Sequence, residues 1–275
     1  MKPLLVVDGD NLAHRAFHAL PPSIRDGERR PANALVGFTN MLVSVWEAER
    51  PRAVLVGLDT LDVSTYRHAL LPQYQSGRHF APELRFQLDR LPELVAAFGF
   101  AAAKQAGYEA DDFLAAGVAA EEKRRGTALV LSNDRDLFQL ASARTTILHP
   151  RRGVSELERV GPAEVEKRYG VPPALVPDFI ALRGDPSDKI PGALGVGPVS
   201  AAAILKRNGS LEATLAAGGF AGQAENLRAY LRIATLDRKA PIPKLPNAEP
   251  DWQGAADLFA RWGLGNLAER LRGRA

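Results

Sequence analysis

Leu4-Leu5-Val6-Val7-Asp8-Gly9-Asp10 is the stretch that decides the fold. Four apolar residues in a row suit a short strand buried on both faces, and the run stops on aspartate and glycine. The pattern returns twice. Ala53-Val54-Leu55-Val56-Gly57-Leu58 stops on Asp59, and Ala128-Leu129-Val130-Leu131 leads into Ser132-Asn133-Asp134-Arg135-Asp136. Helical periodicity separates the runs; over 32–48, Phe38, Met41, Leu42 and Val45 share one face. Strands alternating with helices imply a central, mostly parallel sheet flanked by helices, with the carboxyl ends of its strands opening onto a ligand crevice. Asp8, Asp59 and Asp134 are therefore expected to converge. A single aspartate after a strand is ordinary turn chemistry, but three strands of three ending this way is not.

Between the second and third runs stands Gly107-Tyr108-Glu109-Ala110-Asp111-Asp112, followed by the apolar helix 113–120. Acids favour helix N-termini because they complement the macrodipole, which is the plain reading of any one of them. Glu109 and Asp112 also share a helical face, with Asp111 beside them. Like charges that close cost free energy unless a cation or a shared proton offsets them. Further on, Arg183-Gly184-Asp185-Pro186-Ser187-Asp188-Lys189-Ile190-Pro191-Gly192 adds two aspartates in a loop bounded by Gly and Pro, where they could equally be turn formers.

Phosphate-binding chemistry is indicated in two places. The stretch from Thr65 to Phe80 mixes Arg67, His68, Tyr74, Gln75, Arg78 and His79, a composition suited to phosphate contact and base stacking, or to an exposed loop. Gly195-Val196-Gly197-Pro198 permits a tight turn followed by a helix start, whose exposed N–H groups can meet a phosphate without reading bases. A plain helix–turn–helix connection is the other reading. The segment 83–98 reads as one helix that Pro92 bends.

Composition narrows the class. The absence of cysteine excludes disulfides, thiolate catalysis and zinc–thiolate sites. No apolar run approaches a membrane span and no signal peptide is evident, so a cytoplasmic protein is expected. With nine of the 32 acids gathered in one site, the 35 Lys and Arg outnumber the acids that remain. An acidic pocket in a basic surface suits a metal-dependent enzyme acting on a polyanion.

In this order, the acids and the Gly195–Gly197 turn closely resemble the flap endonuclease/5′–3′ exonuclease family, above all the 5′-nuclease domain of bacterial DNA polymerase I and its free-standing homologues. The resemblance runs from about residue 3 to 211, through Val7-Asp8-Gly9, Arg15-Ala16-Phe17-His18-Ala19, Arg67 to Arg78, Tyr108 to Asp112, Asn133 to Asp136 with Gln139, and Gly184 to Gly197. It implies an α/β core over 1–160 with a helical gateway at about 67–91, then a helical DNA-binding region over 161–275 with a helix–hairpin–helix at about 175–211. It implies first-site metal ligands at Asp8, Asp59, Glu109, Asp111 and Asp112, and second-site ligands at Asp134, Asp136, Asp185 and Asp188. DNA contacts are implied at Arg15, Arg67, Tyr74, Gln75, Arg78, Gly195, Gly197 and Ser200, with a potassium ion held by backbone carbonyls at Gly195 and Gly197. The implied activity is two-metal hydrolysis with Mg2+ or Mn2+, on DNA with 5′ flaps, overhangs or nicks, giving 5′-phosphates; RNA 5′ ends are a further candidate. A monomer is expected, and a free-standing protein rather than a piece of a polymerase.

Three positions depart from the family pattern. Gln75 stands where many relatives have a lysine that orients the scissile phosphate, so slower chemistry or a shifted substrate preference is expected. Arg135 replaces a common lysine between Asp134 and Asp136. Lys189 replaces an asparagine, and beside the second metal it is expected to pair with a carboxylate. Two other readings compete: a junction-binding protein that cuts poorly, and a haloacid-dehalogenase-like phosphatase built on Asp8-Gly9-Asp10, which would give Glu109–Asp112 and the glycine turn no role.

Overall fold

The computed structural model describes residues 2–77, 79–152 and 156–275. Strand β1 (Leu4–Asp8) is buried throughout and runs straight into helix α1 (Gly9–Ala19), whose first turn Asp8 caps by accepting the Asn11 N–H at 3.1 Å. Helix α2 (Asn33–Glu49) ends where Arg50 turns left-handed (φ 46°), which sends the chain back along β2 (Ala53–Gly57). Then come α3 (Tyr66–Leu70), α4 (Pro82–Leu88), α5 (Leu91–Ala97), β3 (Ala101–Ala103), α6 (Ala110–Lys123) and β4 (Ala128–Leu131). A 3-10 turn (Asp136–Leu140) leads to β5 (Thr145–Arg152) and β6 (Glu156–Val160). The rest is helical: α7 (Pro162–Tyr169), α8 (Val176–Arg183), α9 (Pro198–Asn208), α10 (Leu211–Ala216), α11 (Ala224–Ala234), α12 (Trp252–Arg261) and α13 (Gly265–Arg272).

The six strands lie in the order β3-β2-β1-β4-β5-β6. All neighbours are parallel except β6, which runs antiparallel to β5. From β1 the chain works outward to β2 and β3, then returns through α6 to the other side of β1 and forms β4. The loops after β1 and β4 therefore diverge, and a crevice opens at the carboxyl ends of these two strands.

Residue alternation along the strands supplies two cores. Leu4, Val6, Leu55 and Val130 face α6 and the α8, α9 and α11 helices. Leu5, Val7, Val56 and Leu131 face α1, α2 and α5, and the last two helices, α12 and α13, also pack on this side. Each fully buried Leu or Val contributes about 2 kcal/mol of transfer free energy, so covering both faces is what makes the apolar runs continuous.

One expectation about the elements changes, and three strands were not anticipated. The segment 83–98 is two helices, not one: in a continuous helix the Pro92 ring would collide with the Leu88 carbonyl, so the chain breaks at Asp89-Arg90 and Pro92 sits in the first turn of α5. Strand β3 is three alanines, a sequence with no strand signature of its own, held by pairing Ala101–Ala103 to Leu55–Gly57. Strands β5 and β6 form an edge hairpin whose polar, Arg-rich sequence hides it.

Candidate active site

The acids are positioned by the strand ends. Asp8, at the end of β1, accepts from Ser132 Oγ at 2.8 Å, and Ser132 Oγ in turn accepts the Asp134 N–H at 3.0 Å, so the β1 and β4 loops are tied across the crevice. Asp134 Oδ1 accepts the Asp136 N–H at 2.8 Å. Asp59, two residues beyond β2, accepts the Ala110 N–H at 2.7 Å and so fixes the start of α6 to that strand. Its own N–H donates to Asp10 Oδ2 at 2.8 Å. These five aspartates line a cavity of about 560 Å³ with Glu109, Asp111, Asp188 and Tyr74, and with His14, Arg15 and His18 of α1 on its wall.

A second cavity of about 400 Å³ shares Asp134, Asp136 and Asp188, and adds Asp185, Arg135, Arg183 and Tyr169. The loop between α8 and α9 supplies it. Asp185 and Ile190 exchange two backbone hydrogen bonds of 2.8 Å, which close the loop and hold Asp185 and Asp188 at one end. Asp188 accepts from Gln75 Nε2 at 3.0 Å, Gln75 Nε2 also donates to Tyr74 Oη at 2.9 Å, and Tyr74 Oη donates to Glu109 Oε2 at 3.1 Å. One polar chain thus links the two carboxylate sets.

Crowding shows in the protonation. Burial, then the charge of Asp59, pushes the Asp8 carboxyl up to about 7. Glu109 also rises to about 7, chiefly through burial, although Arg67 pulls the other way. Asp10, Asp111 and Asp136 are held well above the usual carboxylate range by burial and by neighbouring acids. At neutral pH the cavity cannot carry all these charges without positive charge to offset them. An all-oxygen donor set is the chemistry of hard divalent cations. Among the described residues, no three of these side chains converge on one point as direct ligands.

The residues expected from the sequence are placed as follows. Asp8, Asp59, Glu109, Asp111, Asp134, Asp136 and Asp188 face the first cavity with Arg15, Tyr74 and Gln75, and Asp185 faces the second. Asp112 does not: it is fully buried and accepts from both arms of the Arg67 guanidinium at 2.8 Å, from the Asp237 N–H at 2.9 Å and from the Glu109 N–H at 3.2 Å. Its oxygens are spent inside the protein, which removes it from the expected ligand set. Arg67 changes with it. It is 1% exposed and lines the first cavity, and its Nε donates to the Ile233 carbonyl at 3.0 Å, so it braces α3 against α6 and α11.

Lys189 is exposed and forms no ion pair among the described residues; the cation that meets this loop is Arg183, 3.1 Å from Asp185 Oδ2. Gly195 and Gly197 lie exposed on the turn between α8 and α9, and Ser200 lies exposed in the first turn of α9; none of the three lines either cavity. Arg78 lies outside the described residues. Sequence reasoning overlooked Asp10, which shares the opening stretch with Asp8, and Ser132, which precedes the third acidic run and bridges Asp8 to Asp134.

Comparison with known proteins agrees on one family. A model described as 5′–3′ exonuclease, N-terminal resolvase-like domain, matches residues 3–170, and one described as 5′–3′ exonuclease, C-terminal SAM fold, matches residues 171–248. A 5′–3′ exonuclease of Mycobacterium tuberculosis is 34% identical, over 98% of this chain and 96% of that protein. DNA polymerase I of Mycobacterium bovis is 37% identical over 89% of this chain, which spans only 28% of that protein's length. Among solved structures, the bacteriophage T5 flap endonuclease, in a pseudo-enzyme–product complex with DNA and metal ions, shares the fold with a TM-score of 0.71 and 18% identity, over 98% of both chains.

Proposed function

The chain belongs to the 5′–3′ exonuclease family of nucleases, and on that premise we propose that it is a structure-specific 5′ nuclease that hydrolyses DNA phosphodiesters at 5′ flaps, overhangs or nicks and leaves 5′-phosphates. The observation that carries the reading is the cavity at the β1/β4 crevice, where carboxylates from three strand ends, α6 and the α8–α9 loop face one another. Asp8, Asp10, Asp59, Glu109 and Asp111 would hold one divalent cation, and Asp134, Asp136, Asp185 and Asp188 a second. Bound there, Mg2+ or Mn2+ supplies the positive charge that activates water and offsets charge building on the leaving oxygen.

The protein's own groups do the rest. Ser132 and the Asn11 N–H fix the Asp8 carboxylate, and Ala110 N–H fixes Asp59, so the donors are oriented before substrate arrives. His14, Arg15 and His18 of α1 line the same cavity as the acids, where a strand's phosphates would run. The turn at Gly195, left-handed at φ 76°, and the N–H groups that open α9 suit contact with duplex phosphates; the Gly195 and Gly197 carbonyls would hold a potassium ion there. Recognition of this kind reads shape rather than sequence.

One feature favours a slower variant of the activity, junction binding with weak cutting. Gln75 spends its amide on Asp188 and Tyr74 and brings no positive charge to the scissile phosphate. A 5′-labelled flap on a duplex junction, with Mg2+, Mn2+ or EDTA, separates the readings. Cutting near the junction that needs metal and falls at least about 100-fold in Asp134→Ala is the expected result. Tight flap binding with no cutting in either metal would refute catalysis. An RNA 5′ flap in parallel shows whether the sugar is discriminated.

A further inference from the structure

We propose that Arg183 is a resident counter-cation of the second carboxylate set and makes that set the weaker of the two for divalent ions. The inference rests on the two-ion reading above and adds an asymmetry to it.

Arg183 closes α8. Its Nε donates to the Gly184 carbonyl at 2.8 Å, a terminal nitrogen lies 3.1 Å from Asp185 Oδ2, and the guanidinium sits 5.5 Å above the Phe179 ring centre. The other Asp185 oxygen accepts the Ser187 N–H at 2.9 Å. Both oxygens of Asp185 are therefore in use, one of them by a full positive charge. An ion entering the second cavity has to draw Asp185 Oδ2 away from Arg183 or share it, against the repulsion of the guanidinium itself.

The first set is built differently. Asp8 accepts from a serine hydroxyl and a backbone N–H, and Asp10 from a backbone N–H. These neutral donors orient a carboxylate without cancelling its charge. Arg67 does approach Glu109, at 3.6 Å, but both of its arms are committed to Asp112, so it cannot follow an ion in or out. Among the described residues Arg183 has one carboxylate partner, and its side chain is 26% exposed, which leaves it room to swing. A unit charge a few Å away in a partly solvated site is worth about tenfold in ion affinity.

The test is Mn2+ binding to the full chain without DNA, followed by calorimetry and by manganese paramagnetic resonance. Wild type should show a tighter and a weaker site. Arg183→Met, which keeps a stem over Phe179, should tighten the weaker site about tenfold and leave the tighter one unchanged. Arg183→Gln, which keeps a donor for the Gly184 carbonyl, should do the same even if the Met variant folds poorly, and Arg183→Lys should stay near wild type. Two sites that bind Mn2+ with affinities unmoved by both neutral variants would overturn the inference alone. Absence of Mn2+ binding at either site would overturn it together with the metal-dependent reading beneath it.

Discussion

Arg67→Met should cost the fold about 3–5 kcal/mol. The magnitude follows from what the guanidinium holds. Arg67 makes two 2.8 Å bonds to Asp112 and one of 3.0 Å to Ile233 O, with 1% of its surface exposed. Methionine refills much of the volume but leaves the Asp112 carboxylate, fully buried, with only the Asp237 and Glu109 N–H groups for company. A buried charge stripped of its partner costs more than the pair was worth, so Arg67→Met/Asp112→Leu should recover most of the loss. Urea unfolding at neutral pH, followed by circular dichroism and fitted with a common slope, measures the two differences from wild type. Mn2+ calorimetry on Asp112→Asn supplies the second arm. A stability loss below about 1 kcal/mol in Arg67→Met would refute the account of the clasp. Loss of a Mn2+ site in Asp112→Asn would return Asp112 to the ligands.

Two further outcomes follow from the acid cluster and its loop. Because the folded protein holds the Asp8 carboxyl near 7 against an ordinary 3.8, its penalty is absent below about pH 4, grows between 4 and 7, and is complete above 7. Asp8→Asn should therefore raise stability in EDTA at pH 8, by at most about 4 kcal/mol, and by less at pH 5, while abolishing cleavage; thermal melts at the two pH values check the sign, and equal shifts would contradict it. Gly184→Ala places a Cβ about 2.6 Å from the Pro191 carbonyl oxygen at a backbone φ of 83°, so it should cost roughly 2–3 kcal/mol and slow cleavage by disturbing Asp185 and Asp188. Denaturant titration and the flap assay measure both, and a variant as stable as wild type would show that the loop has room it is not drawn with.

What was legible in the sequence is what local pattern can carry. The runs ending at Asp8, Asp59 and Asp134 announced buried parallel strands because both faces of such strands must be apolar, and the same runs announced the crevice. β3 was not legible, since three alanines become a strand only by pairing with β2. Asp112 was misread for a related reason. Its spacing from Glu109 says that the two share a helical start, but its partner Arg67 lies 45 residues earlier and is brought in by the fold. Asp10 was visible and passed over, because a second acid one residue into a helix reads as a dipole partner until the Asp59 N–H is seen to point at it.

The helices α12 and α13 carry a consequence for synthesis. Trp252 stands edge-on to Trp46 at 5.4 Å, and the Trp262 carbonyl accepts from Gly27 at 2.8 Å, so the last helices seal an apolar surface laid down by the first fifty residues. At about 5–20 residues per second, Trp46 is incorporated roughly 10–40 s before Trp252 exists to cover it. For that interval the α2 face lacks the helices that cover it in the folded protein. The acidic crevice, by contrast, is framed by β1, β2 and β4 and can take shape long before that wall is closed.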